Sequence, residues 1–318
     1  MAEFTWESDV ADGVLKNHAL SAKLREAAIA QTKFMQFVMP EPGYGRGKGD
    51  SVTIRRIRNI AEPTTAQIGE RDRIPIDTFA ESSVTITVAE FGRGVEYTHK
   101  SQLLNSYDLQ DKIQRKLRQQ LSLVLDSAAA AAFKTAKIIF QPTSLSGGTF
   151  TTTGTPAVTA LQNLTVAHVK VIRDYMMDTI HTPGWDGGDK LICLASTKAL
   201  RGIRNDPEFL AWRQYVRPED AWFRGEVGEI ENIKFVEVNH TNALSNSKGS
   251  GSVLGEAVFF GEDAVAMAVA EDPELRADVN TADFGRQKAV AWYGVLNFGA
   301  IWDTANDGEA RIIRLTSA

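Results

Sequence analysis

Cysteine is almost missing from this chain: Cys193 is the single one among 318 residues. An internal disulfide is excluded, no clustered Cys/His zinc module can form around it, and the chain suits a reducing cytoplasm. Histidine is sparse too, with five in the chain. His18, His99 and His240 are scattered, and His168 and His181 lie too far apart on one expected helix to chelate a metal ion directly. Long apolar runs are missing too. No stretch of 18 consecutive apolar residues occurs, so no spanning helix is expected. The opening MAEFTWESDVADG is acidic and does not read as a secretory signal. The sequons at Asn163 and Asn239 are then chance matches. Positive charge is not in excess, with 35 Lys and Arg against 40 Asp and Glu, a net charge of −5 and a pI near 5.7. That balance argues against a dedicated nucleic-acid binder.

Catalytic signatures are missing as well. There is no G-x-S-x-G elbow, no H-E-x-x-H and no Walker A. In the glycine-rich run from Gly43 to Asp50, Lys48 is followed by Gly49 and not by Ser or Thr, and it reads as a turn. Asp303, Asn306, Asp307 and Glu309 lack the register of a calcium loop. No catalytic residue, cofactor site or metal site is expected.

What is present is a definite order of elements. Leu20, Leu24, Ala28 and Ile29 suggest a short amphipathic helix in an arm that ends at Pro40 and Pro42. SVTIRRIRNI (51–60) and VTITVAEF (84–91) alternate with period two and predict strands, joined by a polar stretch into a long hairpin projecting from the body. A two-stranded projection is marginal alone in water, so it needs a surface to pack on. Residues 105–134 place Leu109, Ile113, Leu117, Leu121, Val124 and Ala128 on one stripe and Lys112, Arg115, Lys116, Arg118 and Gln119 on the other face. This predicts an amphipathic helix of roughly 45 Å. The Thr- and Gly-rich stretch 141–165 reads as a loop or weak hairpin. A helix is predicted over 165–181 with Thr165 as N-cap, and another after Asp206-Pro207. Strands are predicted at 190–196, within 228–239, and at 253–261. The stretch EDAVAMAVA (262–270) reads as a short helix. The apolar run 287–303 predicts a strand of roughly 55 Å. Its aromatics Trp292, Tyr293, Phe298 and Trp302 read as sheet core. Asn306-Asp307-Gly308 predicts a hairpin turn into 309–317.

The sharpest charge feature is Arg46, Lys48, Arg55, Arg56 and Arg58, joined later by Arg71 and Arg73. One reading is a solvated strand face. Another is a basic hairpin that docks on acidic surface of a second copy, around Glu219, Asp220, Glu226, Glu229 and Glu231. Contact with nucleic acid is a third.

An arm, a projecting hairpin, one long helix, an α/β lobe and a terminal strand pair, in that order, resemble the coat proteins of tailed bacteriophages with the HK97-like fold. Four stretches are similar to the subfamily typified by the coat protein of the Escherichia phage N-four. They are GDSVTIRRIRNI (49–60), residues 95–126, GEIENIKFVEVN (228–239) and AVAWYGVLNFGAIWD (289–303). The resemblance implies an α+β fold with an N-arm (1–44), an E-loop (45–95) and a P-domain (96–164) holding a spine helix at about 101–135. An A-domain (165–285) and closing strands (286–318) follow. It implies a non-enzymatic major capsid protein that forms hexamers and pentamers of an icosahedral shell around double-stranded DNA. Contact with that DNA would be weak and non-specific, and no membrane is involved. The E-loop would lie over a neighbour, and the loop at 240–252 would approach the capsomer centre. Portal and scaffold proteins, and in some relatives a decoration protein, are the implied partners. Assembly in the host bacterial cytoplasm and residence in the virion are the implied locations. No lysine occurs between Asp50 and His99, so cross-linking through an E-loop lysine is not expected. No long N-terminal scaffolding segment is seen, so scaffolding would be a separate protein or a piece already removed. An encapsulin-like compartment shell and a soluble α/β enzyme built on 165–270 remain as alternatives.

Overall fold

A computed structural model describes residues 29–60, 62–105, 108–210, 228–279, 286–302 and 309–318. The expected arm helix around Leu20, Leu24 and Ala28 lies outside these residues. So do most of the helix opening at Pro207 and the Asn306-Asp307-Gly308 turn.

After a short 3-10 turn at Phe34–Phe37, the chain adds strand β1 (Met39–Pro40) and enters the hairpin β2 (Ser51–Ile57) and β3 (Glu81–Thr87). The hairpin is antiparallel, with Val52 opposite Ile86 and Ile54 opposite Val84. Strand β4 (Ala89–Thr98) leads into α1 (His99–Leu104) and α2 (Leu109–Phe133). The single helix expected over about 101–135 is therefore two. Thr98 caps α1 by accepting from the Ser101 N–H, and Asn105 leaves it with extended backbone. Asp108 then caps α2 through the Asp111 N–H. Two polar caps within ten residues divide what periodicity alone joins. The uninterrupted helix spans about 37 Å.

Strands β5 (Ile138–Pro142) and β6 (Gly148–Thr151) form a hairpin inside the Thr- and Gly-rich stretch. Helix α3 (Val166–Asp174) follows with Thr165 as its N-cap, in a reciprocal box with His168. It gives way to a π turn at Tyr175–Thr179, so His168 and His181 do not share one regular helix, and His181 takes a positive φ of 45°. Then come β7 (Leu191–Ser196), α4 (Thr197–Arg204), the hairpin β8 (Glu229–Ile230) and β9 (Ile233–Val238), β10 (Ala257–Phe260), β11 (Val265–Val279), β12 (Gln287–Ala300) and β13 (Ile312–Leu315).

Two expectations are corrected here. EDAVAMAVA is not a helix: from Val265 onward it is the first half of β11, paired with β1 on one side and β12 on the other. Alanine favours helix intrinsically, but ladder bonds and burial on both sides of this segment override propensity. The two closing strands are not a hairpin either. Strand β12 pairs with β11 and β4, whereas β13 joins β5 and β10 in another sheet.

The result is a four-stranded sheet, β1-β11-β12-β4, and a mixed seven-stranded sheet, β6-β5-β13-β10-β7-β9-β8. Helix α2 joins them. Its first half packs Leu117, with Ile113 and Leu121, against Val290 and Trp292 of β12. Its second half is enclosed: Leu125, Ala129, Ala130 and Phe133 meet Leu296 and Phe298 of the smaller sheet and Leu194, Val258 and Phe260 of the larger. The larger sheet covers its other face with α3 and α4, through Val169, Ile172, Ala199 and Ile203. Alternation along β12 decides this layering, because its even-numbered residues from Val290 to Ala300 are buried, and Val290, Trp292, Leu296, Phe298 and Ala300 among them cluster with the apolar face of α2. The opposite face of the small sheet receives the hairpin. Ile86, Val52, Ile54 and Val84 pack on Ala266, Ala268 and Ile301. A Cβ at Gly299 would stand 2.7 Å from Ile86 Cγ1, so the close approach of hairpin and sheet requires glycine there.

Candidate assembly surfaces

The hairpin is anchored at its base and bare at its tip. Beyond the Arg58 N–H to Ala80 carbonyl bond, residues 59–79 form no strand or helix among those described. A small turn in which the Asp72 N–H donates to the Gly69 carbonyl is the local order. Ile57, Ile60, Ile68, Ile74, Ile76 and Phe79 are all exposed, Ile74 at 70% and Ile76 at 81%. Single exposed apolar residues are ordinary, but five on one loop without a core of their own, beside Ile57 at the end of β2, mark a surface meant to be covered. Arg71 and Arg73 stand beside them, also exposed.

The structure divides the basic cluster. Arg56 is only 7% exposed. Its Nη1 donates to the Ile301 carbonyl at 2.6 Å, and its guanidinium lies 5.8 Å from the Trp302 ring centroid. Arg58 Nε sits 3.0 Å from Oε1 of Glu309, itself buried. These two face the molecule's own body, since residues 52, 54, 56 share the inner side of β2. Arg55, one residue out of phase, is exposed, as are Arg46 and Lys48. Lys48 donates to the Gly43 carbonyl within its own turn. In the sequence, only the period-two alternation of β2 marks this split.

Glu229 and Glu231 lie at the β8–β9 turn, where Glu231 and Asn232 adopt φ of 51° and 60°. Glu229 is 2.7 Å from Lys190 Nζ. With Lys170, Glu208, Phe209, Val166 and Ile230 they border a pocket of about 300 Å³. Glu226, Glu219 and Asp220 fall outside the described residues.

A feature that sequence reasoning missed ties the N-terminal segment to α2. Asp126, fully buried, accepts from the backbone N–H of Lys33 at 2.9 Å and of Phe34 at 2.8 Å, and more distantly from Met35. Phe34 then fills the space beside Phe133. The only signal in sequence is a lone acid on the apolar half of a helix.

Among the described residues no group of three or more His, Cys, Asp and Glu is placed to hold a metal ion, and no helix is long and apolar enough to cross a membrane. Burial raises the Cys193 thiol well above its usual range, so it is a packed core residue.

Comparison places this architecture. No known protein-family profile and no curated protein matches the sequence. Solved structures do. A chain of the head structure of Helicobacter pylori bacteriophage KHP40 superposes with a TM-score of 0.72 at 13% identity, over 100% of this chain and 98% of that one. The capsid of Helicobacter pylori bacteriophage KHP30 gives 0.70 at 12% identity over 96% of both. That of the cyanophage Pam1 gives 0.68 at 14% over the full length of both. At such identities the likeness establishes the fold, and the fold is the α+β, HK97-like one of phage capsids.

Proposed function

We propose that this chain is the major capsid protein of a tailed bacteriophage: a structural subunit that assembles as hexamers and pentamers into an icosahedral shell around double-stranded DNA. The observation that carries the reading is the bare apolar tip of the hairpin on a full-length capsid fold. A lone subunit leaves Ile74, Ile76 and Phe79 in water, whereas a lattice of copies offers each tip a neighbouring surface. The partition into N-arm (1–44), E-loop (45–95), P-domain (96–164), A-domain (165–285) and closing strands (286–318) goes with this reading. So do the finer kinship with the coat protein of phage N-four, on the four stretches quoted above, and portal, scaffold and decoration proteins as partners. Assembly in the host cytoplasm and residence in the virion belong to it as well.

The inter-subunit role of the basic cluster narrows to the residues that remain outside. Arg46, Lys48, Arg55, Arg71 and Arg73 would meet acidic surface of a neighbour such as Glu226, Glu229 and Glu231. Arg56 and Arg58 already hold their own hairpin. Each exposed ion pair contributes little, on the order of 0–1 kcal/mol. Repetition across a shell is what would make them matter, so salt sensitivity belongs to assembly and not to subunit folding.

Sedimentation and electron microscopy of the purified protein test the reading. Closed shells, with DNA when recovered from infected cells, are the expected result. A protein that stays monomeric across concentration and salt overturns it. Small uniform shells loaded with protein instead of DNA would point to an encapsulin-like compartment.

A further inference from the structure

The two edges of the four-stranded sheet differ. On one side β1 covers β11 only at Ala266 and Met267. Beyond that point Pro273 and two register shifts, between Val269 and Glu271 and between Glu271 and Glu274, break the edge. Proline and bulges are the usual protection of an open strand. On the other side β4 has neither: it pairs with β12 without a shift from Ala89 to Thr98. Among the described residues no strand pairs with its outer edge. The His99 N–H donates to the Arg286 carbonyl in the same register, so the odd-numbered residues of β4 bond to β12. Glu90, Gly92, Gly94, Glu96 and Thr98 therefore point N–H and C=O outward. A clean edge of this length is a template for another extended segment.

Segment 72–79 of the hairpin tip matches that template. It forms no strand or helix and exposes Ile74, Ile76 and Phe79. An antiparallel register that sets Ile76 opposite Gly94 also sets Asp77 opposite Arg93 and Phe79 opposite Phe91. Pro75 then meets Val95 in a pair without hydrogen bonds, where its missing N–H is not needed. Asp77 and Arg93 are both exposed, and neither has an ion-pair partner among the described residues. A shift of one residue turns Pro75 toward the edge, where an N–H is required. A shift of two sets Asp72 against Glu96 in one direction and parts Asp77 from Arg93 in the other.

The segment cannot reach β4 of its own chain. This register needs Ala80 opposite Glu90, about 5 Å away. Ala80 is held beside Arg58 at the far end of β3, about 23 Å from Thr87. Glu90, three residues past Thr87, lies within about 11 Å of it. The gap within one chain therefore exceeds about 10 Å, and the occupant is another copy. We propose that segment 72–79 of one copy adds as an antiparallel strand to the outer edge of β4 in a second copy. Ile76 then covers Gly94, next to Ala291 on the sheet face away from α2, and Asp77 pairs with Arg93. The inference rests on the shell reading and names the surface that covers the tip.

Disulfide trapping in the full-length, assembled protein tests it. Opposed residues of a pair without hydrogen bonds have Cα atoms about 4.5 Å apart, within disulfide range. Residues offset by two stand roughly 7–8 Å apart, beyond it. After mild oxidation, D77C/R93C particles should run as linked oligomers on a denaturing gel without reductant. D77C/V95C particles should run as single chains, as should the wild type, whose one cysteine is buried. Charge reversal gives a second reading. D77R and R93D should each lower particle yield with unchanged subunit melting, and D77R/R93D together should restore it. The proposal fails if D77C/R93C chains in closed particles stay single, or if D77C/V95C links equally well. It also fails if the double reversal restores nothing. Closed particles without the link overturn this pairing alone, whereas a protein that never assembles overturns the shell reading with it.

Discussion

His240 and Asp126 meet in the interior: Nδ1 of His240 stands 3.2 Å from Oδ2 of Asp126, while Oδ1 of the same carboxyl group receives the backbone of Lys33 and Phe34. The imidazole's other nitrogen lies 3.4 Å from Ser127 Oγ. One buried side chain thus joins the N-terminal segment, α2 and the loop after β9. Asp126→Ala removes the shared acceptor and leaves several donors without a partner. It is expected to cost about 3–5 kcal/mol in urea denaturation. The isosteric Asp126→Asn should cost less. Hydrogen exchange at the amides of residues 33–35 should accelerate first, and unchanged exchange there would refute the latch.

Arg55 and Arg56 are neighbours in sequence with opposite fates. Arg56→Ala strips the Ile301 carbonyl of its donor and removes the guanidinium beside Trp302. It is expected to lower subunit stability by about 1–3 kcal/mol. Arg55→Ala should stay within about 0.5 kcal/mol and alter only the salt dependence of assembly. Thermal denaturation of the two variants side by side checks this.

At the hairpin tip the expectation reverses. The triple variant I74S/I76S/F79S alters only exposed side chains. Its melting should match the parent to within about 0.5 kcal/mol, while its yield of closed particles in sedimentation collapses. Normal particles from this variant would remove the main support for the assembly reading.

His168 supplies a pH dependence. Burial is the largest influence and lowers its pKa from 6.5, although the Ser144 carbonyl and neighbouring backbone groups pull the other way. Its Nδ1 accepts from the Thr165 N–H at 3.1 Å, and its Nε2 faces the Ser144 carbonyl at 2.8 Å, so the neutral ring with hydrogen on Nε2 suits both contacts. The unfolded chain binds this proton more readily. Stability from the group is therefore complete above about pH 6.5 and is lost as pH falls through the lower folded value. His168→Gln, which keeps a capping-box acceptor, should flatten that part of the stability–pH curve.

Glu256 works at lower pH. Burial raises its pKa, but Lys134, the Ser245 N–H, Thr316 and Lys248 together outweigh burial and leave it below 4.5. Oε1 accepts from Thr316 Oγ1 at 2.8 Å, and Lys134 Nζ is 3.3 Å from Oε2. Its contribution is present above the unfolded value and is lost as pH falls through the folded one. Glu256→Gln should cost about 1–3 kcal/mol near neutrality, with the difference shrinking below pH 4. A constant difference across pH would show that the charge does not matter there.

Sequence by itself determined the local elements whose signals are short-range. The hairpin β2–β3 follows from alternation, the helical character of α2 from its apolar stripe, and the Thr165 cap from a polar residue placed before a periodic run. The order of these elements was enough to place the chain beside phage coat proteins, and the superpositions support the fold. Only the tertiary structure decided which strands share a sheet, because pairing partners far apart in sequence leave no periodic trace. That is why Val265–Val279 is a strand despite its alanines, and why β12 and β13 part company. The same holds for the assembly surface. Composition put Arg55, Arg56 and Arg58 into one basic cluster, but the pleat turns Arg56 toward Ile301 and Arg55 toward solvent, and burial, which no linear pattern fixes, separates a side chain that holds the subunit together from one left for a neighbour.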